Sequence, residues 1–146
     1  MTLQTSPPRG WHAAYIGAPY HDHGDSPEGW DCFGLVWWCR VHVYGDRGLD
    51  RELARRAPDA ASLSRPDRLA VHAAAFDAGM GAGGWIPCDR QPGAAVLFNI
   101  AGRPVHVGLM LHDGGFLHVD RNTPTCVERL DSPQWARRVG GFYVPA

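Results

Sequence analysis

Residues 31–45 read Asp31-Cys32-Phe33-Gly34-Leu35-Val36-Trp37-Trp38-Cys39-Arg40-Val41-His42-Val43-Tyr44-Gly45. Asp is a strong N-cap, because its carboxylate accepts from the free amides of a first helical turn. Gly just past an apolar run is a good helix stop. The spacing predicts one helix over Cys32–Tyr44, apolar nearly all round and therefore central. Its β-branched residues favour a strand mildly, but the length and both end signals outweigh them. Cys32 then stands in the first turn, where free amides and the helix dipole stabilise a thiolate. A lowered pKa is what a nucleophilic cysteine needs. Simple core packing is the competing reading of Cys32, and it is the preferred one for Cys39, further along the same face.

Upstream, Gly10–Tyr20 reads as a short helix ending at Gly17-Ala18-Pro19, and residues 21–30 read as turns. Downstream, residues 46–65 are charged and irregular. Pro66–Ala78 has Pro at its start and Gly79 after its end, which predicts a second helix. From there the pattern changes to strands, expected at Ala94–Asn99, Val105–Leu111, Phe116–Val119 and Gly141–Val144. Helices first and strands later predict an α+β fold, N-terminal helices on an antiparallel sheet. At 146 residues the chain has room for a single domain, residues 1–146. The Gly- and Pro-containing segments 46–65 and 79–90 flank the motifs and fit adaptable loops or a lid.

A thiol nucleophile needs a base, and the base needs an orienting partner. His106 opens one strand and His118 closes the next, joined by His112-Asp113-Gly114-Gly115. Strand parity imposes a condition. A two-residue Asp113-Gly114 turn puts the two histidines on opposite faces. A three-residue loop, with Gly115 left-handed in a bulge, puts them on one face. The expectation is therefore a bulge or an odd-length loop. His42, His72 and His112 read as structural. His21, His23, Asp22 and Asp25 are weak metal candidates, since no second ligand pair lies at usable spacing. No metal or other cofactor is expected.

Composition excludes several classes. The net charge is −1, and all 14 basic residues are Arg, so no basic field for nucleic acid exists. No apolar run approaches the ~18 residues of a membrane span. Met1–Arg9 lacks the pattern of a secretory signal, so synthesis in the cytoplasm is expected. Cys32, Cys39, Cys88 and Cys126 form no C-x-x-C pair. Gly (18) and Pro (12) are abundant, which predicts many turns and short elements.

Five pieces in order resemble the NlpC/P60 family of papain-like cysteine peptidases. They are Tyr15–Tyr20, Gly29–Val36, Gln91–Phe98, His106–Leu109 and Gly115–His118. The resemblance implies a papain-like α+β fold, with Cys32 as nucleophile, His106 as base and His118 as the orienting residue. It implies Tyr20 beside the nucleophile, Asp31 in the substrate-binding wall, and the Cys32 amide in an oxyanion hole. The implied substrate is bacterial peptidoglycan, cut at the γ-D-glutamyl bond to a diamino acid of the stem peptide.

The chain departs from the family pattern at Phe33, where Ser is usual, and at Ala94, where Asp is usual. An aromatic after the cysteine, and the ending Asp131–Tyr143, are similar to the phage tail and gene transfer agent branch. That branch implies a virion-tail location and tail hub or baseplate partners, without nucleic-acid binding or membrane insertion. The alternative is a structural tail-hub protein that keeps the fold without using the activity. Trp135, Arg137 and Arg138 would serve it as an exposed patch, or else form a solvated turn. A third reading is an acyltransferase, or an amidase cutting at the sugar–peptide link, on a related scaffold. Permuted relatives place His before Cys, and the order here disfavours them.

Overall fold

The computed structural model describes residues 6–47, 49 and 85–145. The expected helix Pro66–Ala78 and most of the two candidate lid segments lie outside the described residues. A 3-10 turn spans Trp11–Tyr15, followed by β1 (Asp25–Ser26), β2 (Gly29–Trp30) and α1 (Cys32–His42). Then come β3 (Trp85–Pro87), β4 (Ala95–Ile100), β5 (Arg103–Met110), β6 (Gly115–Asp120) and β7 (Thr123–Arg129). A one-turn helix, α2 (Pro133–Ala136), leads into β8 (Val139–Pro145). The large sheet is antiparallel in the order β3-β8-β4-β5-β6-β7. This is the expected α+β arrangement. No helix among the described residues is long and apolar enough to cross a membrane.

Asp31 caps α1 as its residue type predicts: its Oδ1 accepts from Gly34 N at 2.6 Å. The helix ends at His42, two residues early, with Gly45 in the left-handed region just beyond (φ 84). The N-terminal segment is a correction. Only Trp11–Tyr15 is helical, and as a 3-10 turn, because Ile16 is extended and Gly17 is left-handed (φ 90).

The sheet divides the core into two layers. Ala95, Leu97, Val107, Leu109, Leu117 and Val119 face α1 and pack with Leu35, Val36 and Cys39. Val96, Phe98, Met110 and Phe116 face the other way, under Leu130 and Trp135 of the C-terminal segment. Burying each such large side chain stabilises the fold by about 1.5–3 kcal/mol. Trp135 is only 7% exposed. It is a core residue and neither an exposed patch nor part of a solvated turn.

Gly34 is held to glycine by a close approach. A Cβ there would sit 1.9 Å from the carbonyl oxygen of Gly24, which also accepts from Asp31 N at 3.2 Å. The loop before β1 thus lies directly on the first turn of α1 and fixes Cys32 against it. Phe33, the departure from the family pattern, meets the ring of Trp85 edge-on at 6.1 Å. The other departure, at Ala94, leaves a fully buried methyl group in the second layer.

Candidate active site

Beyond the last paired residues of β5 and β6, Leu111 N donates to Gly115 O at 2.8 Å, which closes the three-residue loop His112-Asp113-Gly114. Leu109 pairs with Leu117 and Met110 with Phe116, which extends to Gly108 opposite His118. His106 lies two residues from that position, so both imidazoles share one face. The odd-length loop is as expected, but its left-handed residues differ. They are Asp113 (φ 65) and Gly114 (φ 82), while Gly115 is extended. Asp tolerates this region better than most residues, and it releases Gly115 to begin the strand. Gly108 makes room in the ladder. A Cβ there would lie 2.9 Å from the Phe116 ring and 3.5 Å from His118 Cβ.

His106 Nε2 and His118 Nδ1 are 2.9 Å apart, and His118 Nε2 and Glu128 Oε2 are 2.6 Å apart. The chemistry of the end group sets every proton. A carboxylate only accepts, so His118 Nε2 carries hydrogen. Burial lowers the His118 pKa, which keeps the ring neutral and makes its Nδ1 an acceptor. His106 Nε2 must then donate, leaving a lone pair on His106 Nδ1. Burial, with the neighbouring His118, pushes the His106 pKa down to about 3. The His106 ring stacks on Phe98 and Trp135, each at 5.8 Å between centroids. His118 itself is fully buried.

Cys32 reaches the same strand from the helix side. The backbone amides of Val107, Phe33 and Cys32 itself are near enough to its sulfur to favour the thiolate. Val107 directly follows His106 and faces α1, whereas the His106 ring lies with Phe98 and Trp135, so the thiol and the imidazoles rest against opposite faces of the sheet. No thiol–imidazole hydrogen bond links Cys32 to His106 or His118 among the described residues. The expected depression of the Cys32 pKa is reversed. Burial first, then the Asp31 charge, pushes it up to about 12 despite the three amides. The resting pair is therefore a neutral thiol and a neutral imidazole. A preformed thiolate–imidazolium pair is absent.

Tyr20 bridges to Trp30 on the strand that leads into Asp31, and its surroundings include the Cys32 sulfur. Its hydroxyl donates to Asp22 Oδ1 at 2.9 Å, and the Arg121 guanidinium donates to the same oxygen at 3.3 Å. Asp22 is thus engaged by Tyr20 and Arg121. It joins no three-ligand group with His21, His23 and Asp25 among the described residues. Asp31 commits one carboxylate oxygen to the helix cap. Thr125 ties the N-terminal segment to β7, accepting from Trp30 Nε1 at 2.7 Å and donating to Ala18 O at 2.9 Å.

Glu128 is the residue that sequence reasoning missed. Its signal was available in Thr123–Arg129, where Cys126 and Glu128 fall on one face once the segment is read as a strand. Cys126 stands directly opposite His118 in that ladder.

The sequence profile of the NlpC/P60 family matches residues 17–144. Among solved structures, the chain is similar to the NlpC/p60 domain of the peptidoglycan hydrolase SagA. The TM-score is 0.51 and the identity 21%, over 92% of each chain. It is similar to an NlpC/P60 family protein from Bacillus cereus, with TM-score 0.55 and 18% identity, over 89% of this chain and 36% of that one. A Staphylococcus aureus protein of the NLP/P60 family gives TM-score 0.51 and 24% identity, over 97% of this chain and 44% of that one. The chain therefore spans less than half the length of the last two. At these identities the likeness is one of fold. No curated protein matches the sequence.

Proposed function

The chain belongs to the NlpC/P60 family, and from that premise we propose that it is a cysteine peptidase of peptidoglycan stem peptides, with Cys32 as its nucleophile. The observation that carries this reading is the ordered chain His106–His118–Glu128, which leaves His106 Nδ1 free to accept a proton. Substrate binding brings the scissile carbonyl to the Cys32 sulfur, and the reaction requires the His106 ring, which rests in the Phe98–Trp135 layer, to reach the α1 side of the sheet. His106 takes the thiol proton as sulfur attacks, and the imidazolium is balanced through His118 by the Glu128 carboxylate. In this reading the Cys32 amide, at the start of α1, turns to donate to the developing oxyanion. His106 then returns the proton to the leaving amine, and water releases the acyl group from Cys32. Tyr20 and Asp31 line the substrate side of the nucleophile. The bond proposed is the γ-D-glutamyl link to the diamino acid, with the sugar–peptide amide distinguished from it by muropeptide mass.

The proposed setting is the tail of a phage or gene transfer agent particle, bound to hub or baseplate proteins. Phe33 and the ending Asp131–Tyr143 support it, and both are built into the site region. Phe33 adjoins the nucleophile, and Trp135 lies over both imidazoles.

A second reading is a structural tail-hub protein with an unused site. The raised Cys32 pKa and the missing thiol–imidazole bond favour it. Alkylation with iodoacetamide at neutral pH, followed by peptide mapping, separates the two. An enzyme alkylates Cys32 faster than Cys88 and Cys126, and His106→Ala removes the advantage. A Cys32 that reacts no faster than those two, with or without His106, supports the structural reading.

A further inference from the structure

The face that carries the imidazoles bears a further ligand-type side chain that this mechanism does not use. Cys126 Sγ lies 3.6 Å from His118 Nε2, and Glu128 Oε2 lies 2.6 Å from the same nitrogen. One nitrogen, one sulfur and one oxygen thus fall within 4.8 Å of one another. No other three His, Cys, Asp or Glu groups converge this way among the described residues. Two neighbouring strands supply them in register, with His118 opposite Cys126 and Glu128 two residues on. A mixed N, S, O set with a fourth position open fits tetrahedral zinc, with bonds of about 2.0–2.3 Å. Calcium and magnesium prefer oxygen alone. His118 is fully buried and Glu128 is 36% exposed, which gives a fixed first ligand and a route of entry. The other nitrogen of His118 already has a hydrogen-bond partner in His106, the outer-shell contact that orients metal-bound imidazoles.

We propose that His118, Cys126 and Glu128 form a binding site for zinc-class ions whose occupation switches off the His106 base. The binding stands on these residues alone, while the switching rests on the peptidase reading above. Proton placement gives the mechanism. With no ion bound, His118 Nε2–H donates to Glu128 and His106 Nε2–H donates to His118 Nδ1. An ion on His118 Nε2 needs that lone pair, so the neutral ring must carry its hydrogen on Nδ1. That hydrogen now donates to His106 Nε2, and His106 holds its own hydrogen on Nδ1. The lone pair that accepts the Cys32 proton is gone. Each imidazole keeps one proton, and the Cys126 thiol releases one to solvent as sulfur binds the ion.

The full chain is titrated with zinc(II) by calorimetry and with cobalt(II) by absorption, as wild type, C32A, C126A and C126S. C32A is expected to bind one equivalent and to show a thiolate-to-cobalt charge-transfer band. C126A and C126S are expected to lose the band and to bind zinc at least about tenfold more weakly. In murein digestion both keep metal-free activity and need at least about tenfold more zinc for equal inhibition. A band that survives in both Cys126 variants, or disappears in C32A, overturns the site. Cys126-dependent binding without any murein digestion upholds the site and overturns the peptidase reading. Cys126-dependent binding that leaves digestion uninhibited overturns the switch.

Discussion

His118 gives its Nε2 hydrogen to Glu128 over 2.6 Å, and this contact sets the tautomers of two imidazoles at once. Glutamine at 128 can donate as well as accept, so Glu128→Gln lets the chain reverse. The turnover number on murein should fall by about 10- to 10,000-fold, with KM within about twofold. Steady-state kinetics on one muropeptide measures both constants. Unchanged turnover would remove Glu128 from the relay.

The same burial makes stability depend on pH. The folded state holds His106 and His118 below the usual histidine range, chiefly by desolvation. Unfolded histidines bind protons near pH 6.5, so the unfolded state holds more protons below that pH. Stability is then full above about pH 6.5 and falls as the pH drops toward 3. Cys32 works in the opposite direction. The folded thiol stays protonated to about pH 12, while the unfolded one ionises near 8.5. Its contribution is full below about pH 8.5 and is lost as the pH rises toward 12. Thermal unfolding should give the highest Tm between about pH 6.5 and 8.5. His106→Asn should flatten the decline between about pH 6.5 and 5. An unaltered decline in that variant would contradict burial as its cause.

Trp135 closes over both imidazoles, with centroids 5.8 Å from His106 and 5.1 Å from His118. Trp135→Ala should cost about 3–5 kcal/mol of stability, read from denaturant unfolding. The admitted water should also raise both histidine pKa values, visible by NMR titration. Unmoved histidine resonances would show that Trp135 does not keep the relay dry.

The first turn of α1 can be tested at two positions. Gly34→Ala drives a methyl group into the Gly24 carbonyl, where neither backbone can yield cheaply. A loss of about 3 kcal/mol or more is expected. Asp31→Ala removes the cap and should cost about 1 kcal/mol. Chemical denaturation of both variants measures the difference, and equal losses would mean that the close approach is relieved elsewhere.

The helix start and the four central strands were legible because each carries a local signal: Asp31 before an apolar run, or alternation as in Val105–Leu111. Loop parity was legible too, since only an odd loop brings His106 and His118 to one face. β7 was not. Pro124 and exposed polar residues make Thr123–Arg129 look like a turn, whereas β7 is a sheet edge, where Pro is tolerated. Missing that strand hid Glu128. α2 escaped notice because it is a single turn, and Trp135 with it. The sign of the Cys32 shift was misread for a different reason. The helix dipole follows from local sequence, but the desolvation that outweighs it comes from residues far along the chain. Gly10–Tyr20 was read as too long a helix, since the Ile16–Gly17 exit overrides its apolar pattern.

Digestion of purified murein by wild type and Cys32→Ala, followed by mass spectrometry of the soluble muropeptides, tests the central claim most directly. The wild type should release fragments cut between D-glutamate and the diamino acid, and Cys32→Ala none. Equal release by both proteins, or none by either, would contradict Cys32 as the nucleophile of a peptidoglycan peptidase.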